Sequence, residues 1–139
     1  ALAGLRRLGN EAVATEILSV DDMLPAVAQG AIGIERREDD DQVAQLLTPI
    51  NDSATFARIT CERAMLAVLD GSCRTPIAGY AEISGENEMY FRASVLKADG
   101  TIRLDAEGRG TIEDAEKLGI EIGRQLKDRA HDNNLTFDI

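Results

Sequence analysis

The stretch EMYFRASVLKADGTIRLDAE, Glu88 to Glu107, alternates apolar and polar side chains on both sides of an Asp99–Gly100 pair. A period of two puts alternate residues on one face of a strand, and Asp-Gly is a strong signal for a tight hairpin turn. The stretch therefore predicts two antiparallel strands, and IAGYAEI from Ile77 to Ile83 adds a third ahead of them. On either flank the period becomes helical. Upstream, Asn51, Asp52 or Ser53 caps a helix running to about Leu69, with Ala54, Ala57, Cys61, Ala64, Met65 and Val68 on one stripe. Downstream, Thr111 followed by Asp114 caps a second helix with the stripe Ala115, Leu118, Gly119, Ile122 and Leu126. Gly119 is expected to let that helix close on the sheet. The order helix, three strands, helix predicts an α+β domain, a three-stranded antiparallel sheet with both helices on one face.

Ahead of this domain the pattern is less regular. Leu2, Leu5 and Leu8 suit a helix closed by Gly9, and the chain is expected to begin in mid-fold. Val13 to Leu18 and Ala31 to Arg37 (AIGIERR) read as short strands without an evident partner. Asp39 to Leu47 suits a short helix, with Asp39, Asp40 and Asp41 against its positive N-terminal dipole rather than around a metal. The tail HDNNLTFDI is polar and expected to fray.

The chain has 139 residues, 44% of them apolar, which suffices for a real core. Its 25 acidic and 15 basic side chains leave a net charge of −10, which argues against nonspecific nucleic-acid binding. No run of 18 apolar residues is present, so a protein of the cytoplasm with no membrane contact is expected. Two cysteines, Cys61 and Cys73, form neither a disulfide framework nor a paired zinc pattern. His131 is the single histidine and lies in the polar tail, so a Ser/His or Cys/His nucleophile pair has nothing to be built from.

Cys61 falls on the core stripe and reads as a small buried apolar residue. Cys73 sits in the loop LDGSCRTP, a few residues past a helix C-terminus whose dipole disfavours a thiolate. Cations would have to offset that, and Arg74 and Arg63 are the candidates. An accessible sulfur in a small flexible loop suits covalent attachment, and an idle surface thiol is the alternative. Arg63 lies inside a second apolar strip of the first helix, Phe56, Ile59 and Leu66, and a helix apolar on two sides is expected to be covered on two sides. An arginine there needs an anionic ligand, an internal salt bridge, or a snorkelling route to water.

LDGSCRTPIAGYAE (Leu69–Glu82) resembles the cofactor-attachment loop of the porphobilinogen deaminase family, also called hydroxymethylbilane synthase. LPAVAQGAIGIE (Leu24–Glu35), AGLRRLG (Ala3–Gly9) and ERAMLAVLDG (Glu62–Gly71) resemble other family stretches in the same order, so the likeness runs along the chain. The departures are Ser72, Arg74 and Thr75, where the family often has Gly, Gln and Val, and Ala28, where it often has Gly. None of them removes the sulfur, and Arg74 adds a local charge.

The resemblance implies a three-domain, monomeric enzyme that joins four porphobilinogen units into hydroxymethylbilane with loss of ammonia at each addition. It implies a dipyrromethane primer held by a thioether to Cys73, and Arg7 and Arg63 as guanidiniums that bind the carboxylates of cofactor or substrate. Gln29 and Gly30 match a stretch near the cofactor. Residues 1–24 would finish the second domain, 25–48 would cross into the first, and 49–139 would be the C-terminal cofactor-attachment domain, preceded by these fragments of α/β domains. The substrate arginines and the catalytic aspartate of the family's N-terminal half have no match here, so no catalytic residue is assigned. The chain alone is expected to be inactive and to lack the cofactor, with Ala31 to Arg37 disordered or paired with a second copy. A small α+β ligand-binding or regulatory module and a thiol redox protein remain the alternatives.

Overall fold

The computed structural model describes residues 2–70, 76–133 and 135. Strands β1 (Ile77–Ser84), β2 (Glu88–Leu96) and β3 (Arg103–Thr111) form one antiparallel sheet in the order β1-β2-β3. Phe91 at the centre of β2 stands opposite Ala81 of β1 and Gly108 of β3, which fixes which side chains share a face. The alternation read from the sequence is real: Met89, Phe91, Ala93 and Val95 are all buried, and the intervening Tyr90 and Arg92 lie on the other face. The β2–β3 connection is wider than a two-residue turn. Lys97 N–H still donates to Ile102 C=O at 2.9 Å, so four residues turn the corner, with Gly100 at φ +74°. Asp99 accepts from the Thr101 N–H at 3.0 Å and pairs with Lys97 at 2.8 Å. The Lys97 contact first, then Thr101, holds its carboxyl well below the usual carboxylate range.

Helices α3 (Ser53–Leu69) and α4 (Ala115–Asp132) pack on the same sheet face and on each other. Asp52 caps α3, accepting from the Thr55 N–H at 2.7 Å. Cys61, Met65 and Leu69 of α3 and Ile122 and Leu126 of α4 are almost wholly removed from water and close over Phe91 and Met89. The Thr111–Asp114 pair forms as expected, with Asp114 N–H donating to the Thr111 hydroxyl at 3.2 Å, but α4 begins one turn later than that pair suggests. Gly119 faces α3 rather than the sheet. A Cβ on Gly119 would stand 2.0 Å from the Cys61 carbonyl oxygen, and one on Gly123 would stand 2.8 Å from the Val68 side chain. These two glycines, one turn apart, are where the helix backbones meet. The sheet is approached instead at Gly108, where a Cβ would press on Leu118 and Ile122 at 3.1 Å.

The first fifty residues make short local elements: α1 (Leu2–Arg7), a 3₁₀ turn at Glu11–Val13, α2 (Asp41–Leu47) and a second 3₁₀ turn at Thr48–Ile50. Gly9 closes α1 at φ +65°, and Asp40 caps α2 by accepting from the Val43 N–H at 3.0 Å, both as expected. The two strands expected at Val13 to Leu18 and Ala31 to Arg37 are absent; neither segment pairs with the sheet. A strand is stabilised by a neighbour's ladder and a covered face, and Ile32 at 94% exposure has neither. None of the described residues from 2 to 50 is buried. Among the described residues no helix is long and apolar enough to cross a membrane, and no group of three or more His, Cys, Asp or Glu is placed to hold a metal ion.

Candidate functional site

Cys73 and Arg74 lie outside the described residues, and the structure fixes what flanks them. Helix α3 ends at Asp70, whose left-handed φ of +53° turns the chain away from the helix axis. The chain re-enters at Pro76, whose carbonyl accepts from the Leu96 N–H at 2.9 Å just before β1. On the other side, the Lys127 ammonium of α4 donates to the Val68 carbonyl of α3 at 3.0 Å, which offsets the negative pole of that helix end. Cys73 thus falls in sequence between a helix that ends at Asp70 and a strand whose first ladder bond is in place.

Arg63 is exposed, although the helix was expected to be covered on two sides. The second apolar strip is only partly covered by the described residues: Phe56 is 63% exposed, and Ile59 and Leu66 are half-buried. Arg7 is exposed on the last turn of α1, whose contacts are with the turn that follows it. Among the described residues no carboxylate forms an ion pair with Arg7 or Arg63; the Arg6–Glu11 pair at 3.2 Å leaves Arg7 aside. The structure therefore supplies two water-facing guanidiniums.

The buried charge of α3 is its neighbour Glu62, 7% exposed, which the sequence pattern does not single out. Its Oε2 accepts from the Ala28 N–H at 2.7 Å and its Oε1 from the Ala81 N–H at 3.0 Å. Burial pushes its carboxyl above the ordinary value of 4.5, while the two amides and the Arg58 guanidinium pull the other way. Arg58 has its Nε buried without a partner among the described residues, and with Glu62, Thr55, Gln29, Gly30 and Tyr80 it lines a cavity of about 250 Å³. Gln29 and Gly30 thus fall beside α3 and β1, although they lie far from both in sequence. Only position relative to the stripe could have betrayed Glu62: it sits between Cys61 and Met65, both wholly buried.

Ala28 holds φ +60°, a left-handed conformation that costs an alanine about 1 kcal/mol or more and a glycine almost nothing. Ala28→Gly is expected to stabilise the chain by about 0.5 kcal/mol, the relief of that strain less the unfolded-state entropy that glycine adds. Urea unfolding measures it, and a loss of stability would show that Ala28 is unstrained.

On the sheet face away from the helices, Arg92 joins Glu82 at 2.8 Å and Asp21 at 2.5 Å, and Arg109 pairs with Glu88 at 2.7 Å while lying 4.3 Å from the Tyr90 ring centre. This face is charged but internally compensated. Its one tie to the N-terminal segment, among the described residues, is the Asp21–Arg92 pair.

Two family models match the chain, one on each side of the Glu62–Ala28 contact. That for the porphobilinogen deaminase C-terminal domain covers residues 56–128, and that for the porphobilinogen deaminase dipyromethane cofactor binding domain covers residues 1–45. The chloroplastic porphobilinogen deaminase of Pisum sativum is 51% identical over 132 residues, 94% of this chain and 36% of the relative. The porphobilinogen deaminases of Nitrobacter hamburgensis and Paracoccus denitrificans are 45% and 48% identical over 99% and 94% of this chain, which corresponds to 43% and 41% of those relatives. The chain spans about two fifths of the length of the curated relatives it matches. With the C-terminal family model lying over the whole sheet and most of both its helices, and identities near one half along almost every residue, the chain belongs to the porphobilinogen deaminase family.

Proposed function

We propose that the protein to which this chain belongs joins four porphobilinogen units into hydroxymethylbilane, with this chain holding the dipyrromethane primer through a thioether to Cys73. The observation that carries the reading is the family match over residues 56–128, which includes the Cys73 loop and the two elements it joins. Dipyrromethane, when bound, supplies the anchored end on which the product is built. The tasks of this chain's residues are to hold and to orient. Cys73 gives a carbon–sulfur bond that cellular thiols do not cleave, unlike a disulfide. Arg63, exposed and without an ion-pair partner among the described residues, fits a carboxylate in a planar two-point grip, and Arg7 offers the same at the end of α1. Water-facing guanidiniums of this kind fit an acidic pyrrole chain better than enclosed ones would, because they remain open to an incoming ligand.

The domain assignment that goes with this reading gives residues 1–24 to the second domain, 25–48 to the crossover into the first, and 49–139 to the C-terminal cofactor-attachment domain. A monomeric parent and a cytoplasmic location complete it; the name of the pea relative carries the word chloroplastic. The test is intact mass spectrometry on the full-length protein supplied with porphobilinogen. A permanent addition of two pyrrole units that survives reductant, together with release of hydroxymethylbilane, is the expected result. A reductant-sensitive adduct would transfer the site to redox chemistry.

The redox alternative is disfavoured by Cys61. Its side chain is wholly buried, and burial, with Glu62 adding to it, pushes the thiol from 9.0 up to about 12. Iodoacetamide at pH 8 is expected to leave Cys61 unlabelled in the folded chain and to label it in denaturant, read by peptide mass mapping. The folded thiol keeps its proton where the unfolded one loses it, so stability should fall as pH rises from about 9 to about 12. Rapid labelling of native Cys61 would contradict both expectations.

A further inference from the structure

Strand β1 has β2 on one side and, among the described residues, no strand on the other. An open edge leaves every second N–H without a ladder partner, and such groups are satisfied by something other than a strand or are left to water. Two of them in β1 are taken. Gly79 N–H donates to the Pro25 carbonyl at 3.0 Å, and Ala81 N–H, two residues on, donates to Glu62 Oε1 at 3.0 Å. The spacing of two is that of a ladder, and the second acceptor is a side-chain carboxylate instead of a neighbouring backbone. The other oxygen of that carboxylate takes the N–H of Ala28, three residues after Pro25.

We propose that Glu62 is a positioning residue that stands in for the absent fourth strand at the edge of β1 and fastens residues 25–28 to that edge. One carboxylate then links three pieces of chain: helix α3, the strand that leaves the Cys73 loop, and a segment covered by the other family model. The hydrogen bonds are 2.7 and 3.0 Å, the group is buried, and the segment is held in the left-handed turn at Ala28 that brings its N–H to Glu62. Asp21, ahead of that segment, pairs with Arg92 on the far face of the sheet. The fastening stands on geometry alone. Its consequence, a fixed direction for the attachment loop as it enters β1, rests on the proposed function.

Alanine labelled with ¹⁵N places reporters at the two amides concerned and a control at Ala93, in the middle of β2 and paired on both sides. In this chain the amide protons of Ala28 and Ala81 are expected to shift together on acid titration, with one common midpoint above 4.5 set by Glu62. The charged group facing that carboxylate is Arg58. In Glu62→Gln, a near-isosteric variant with one acceptor oxygen, the common titration should vanish. Hydrogen exchange should then rise at least about tenfold at one of the two amides, with Ala93 unchanged. Separate midpoints for Ala28 and Ala81 in the unaltered chain, or unchanged exchange at both in Glu62→Gln, would overturn the proposal. Neither measurement involves the pyrrole cofactor, so either result leaves the assignment of Cys73 to be judged by its own test.

Discussion

Cys73→Ala in the full-length protein is expected to abolish hydroxymethylbilane formation, a loss of at least about 10³-fold, and to eliminate the permanent two-pyrrole mass addition. Removal of a covalent nucleophile costs this much because no neighbouring group can form the same bond. Serine at this position should rescue little, since a hydroxyl is a far weaker nucleophile than a thiol near neutral pH. The comparison that isolates the sulfur is Cys61→Ala, which trims a wholly buried side chain and is expected to lower stability while leaving the adduct in place. Measured rates of tetrapyrrole release and intact masses for the two variants decide the matter. A Cys73→Ala protein that turned over porphobilinogen at the normal rate would end the assignment.

Gly119→Ala is expected to destabilise the chain by about 3 kcal/mol or more, a large effect for the addition of one methyl group. The added Cβ would lie 2.0 Å from the Cys61 carbonyl oxygen and 2.9 Å from the Ala64 side chain. The first of these is backbone in the middle of a helix and cannot rotate away, so α3 and α4 must separate and open the core around Met65 and Ile122. Gly4→Ala is the matched control: Gly4 sits inside α1 with no atom within 4 Å of the new methyl, so helix propensity alone acts and a gain of up to about 1 kcal/mol is expected. Urea unfolding of both variants reads the difference. A cost below about 1 kcal/mol at Gly119 would mean that the helices do not cross as closely as described.

What local chemistry controls was legible in the chain itself. The three strands follow from period-two alternation, and the caps of α2 and α3 follow from Asp40 and Asp52 standing three residues before the amides they accept. The position of Cys73 between a helix end and a strand is likewise local, as is the interior place of Cys61 on its stripe. A pattern within about one helical turn or one strand suffices for each of these.

The packed molecule alone determined the rest, and the reason is the same each time. Periodicity says that a face is covered without saying by what. Gly119 lies on the buried stripe of α4 whichever partner it meets, and only the crossing with α3 shows that the partner is the Cys61 carbonyl. The segments at Val13 to Leu18 and Ala31 to Arg37 carry strand-forming residues, yet no neighbouring strand gives them a ladder, so propensity goes unrealised. Arg63 and Glu62 are adjacent in sequence and opposite in fate. Arg63 is exposed and the apolar strip around it only partly covered by the described residues, whereas Glu62 is buried because amides 34 residues before it and 19 residues after it converge on one carboxylate. Hydrogen bonds spanning such distances depend on where the backbone returns, which is a property of the tertiary structure and of no local stretch of sequence.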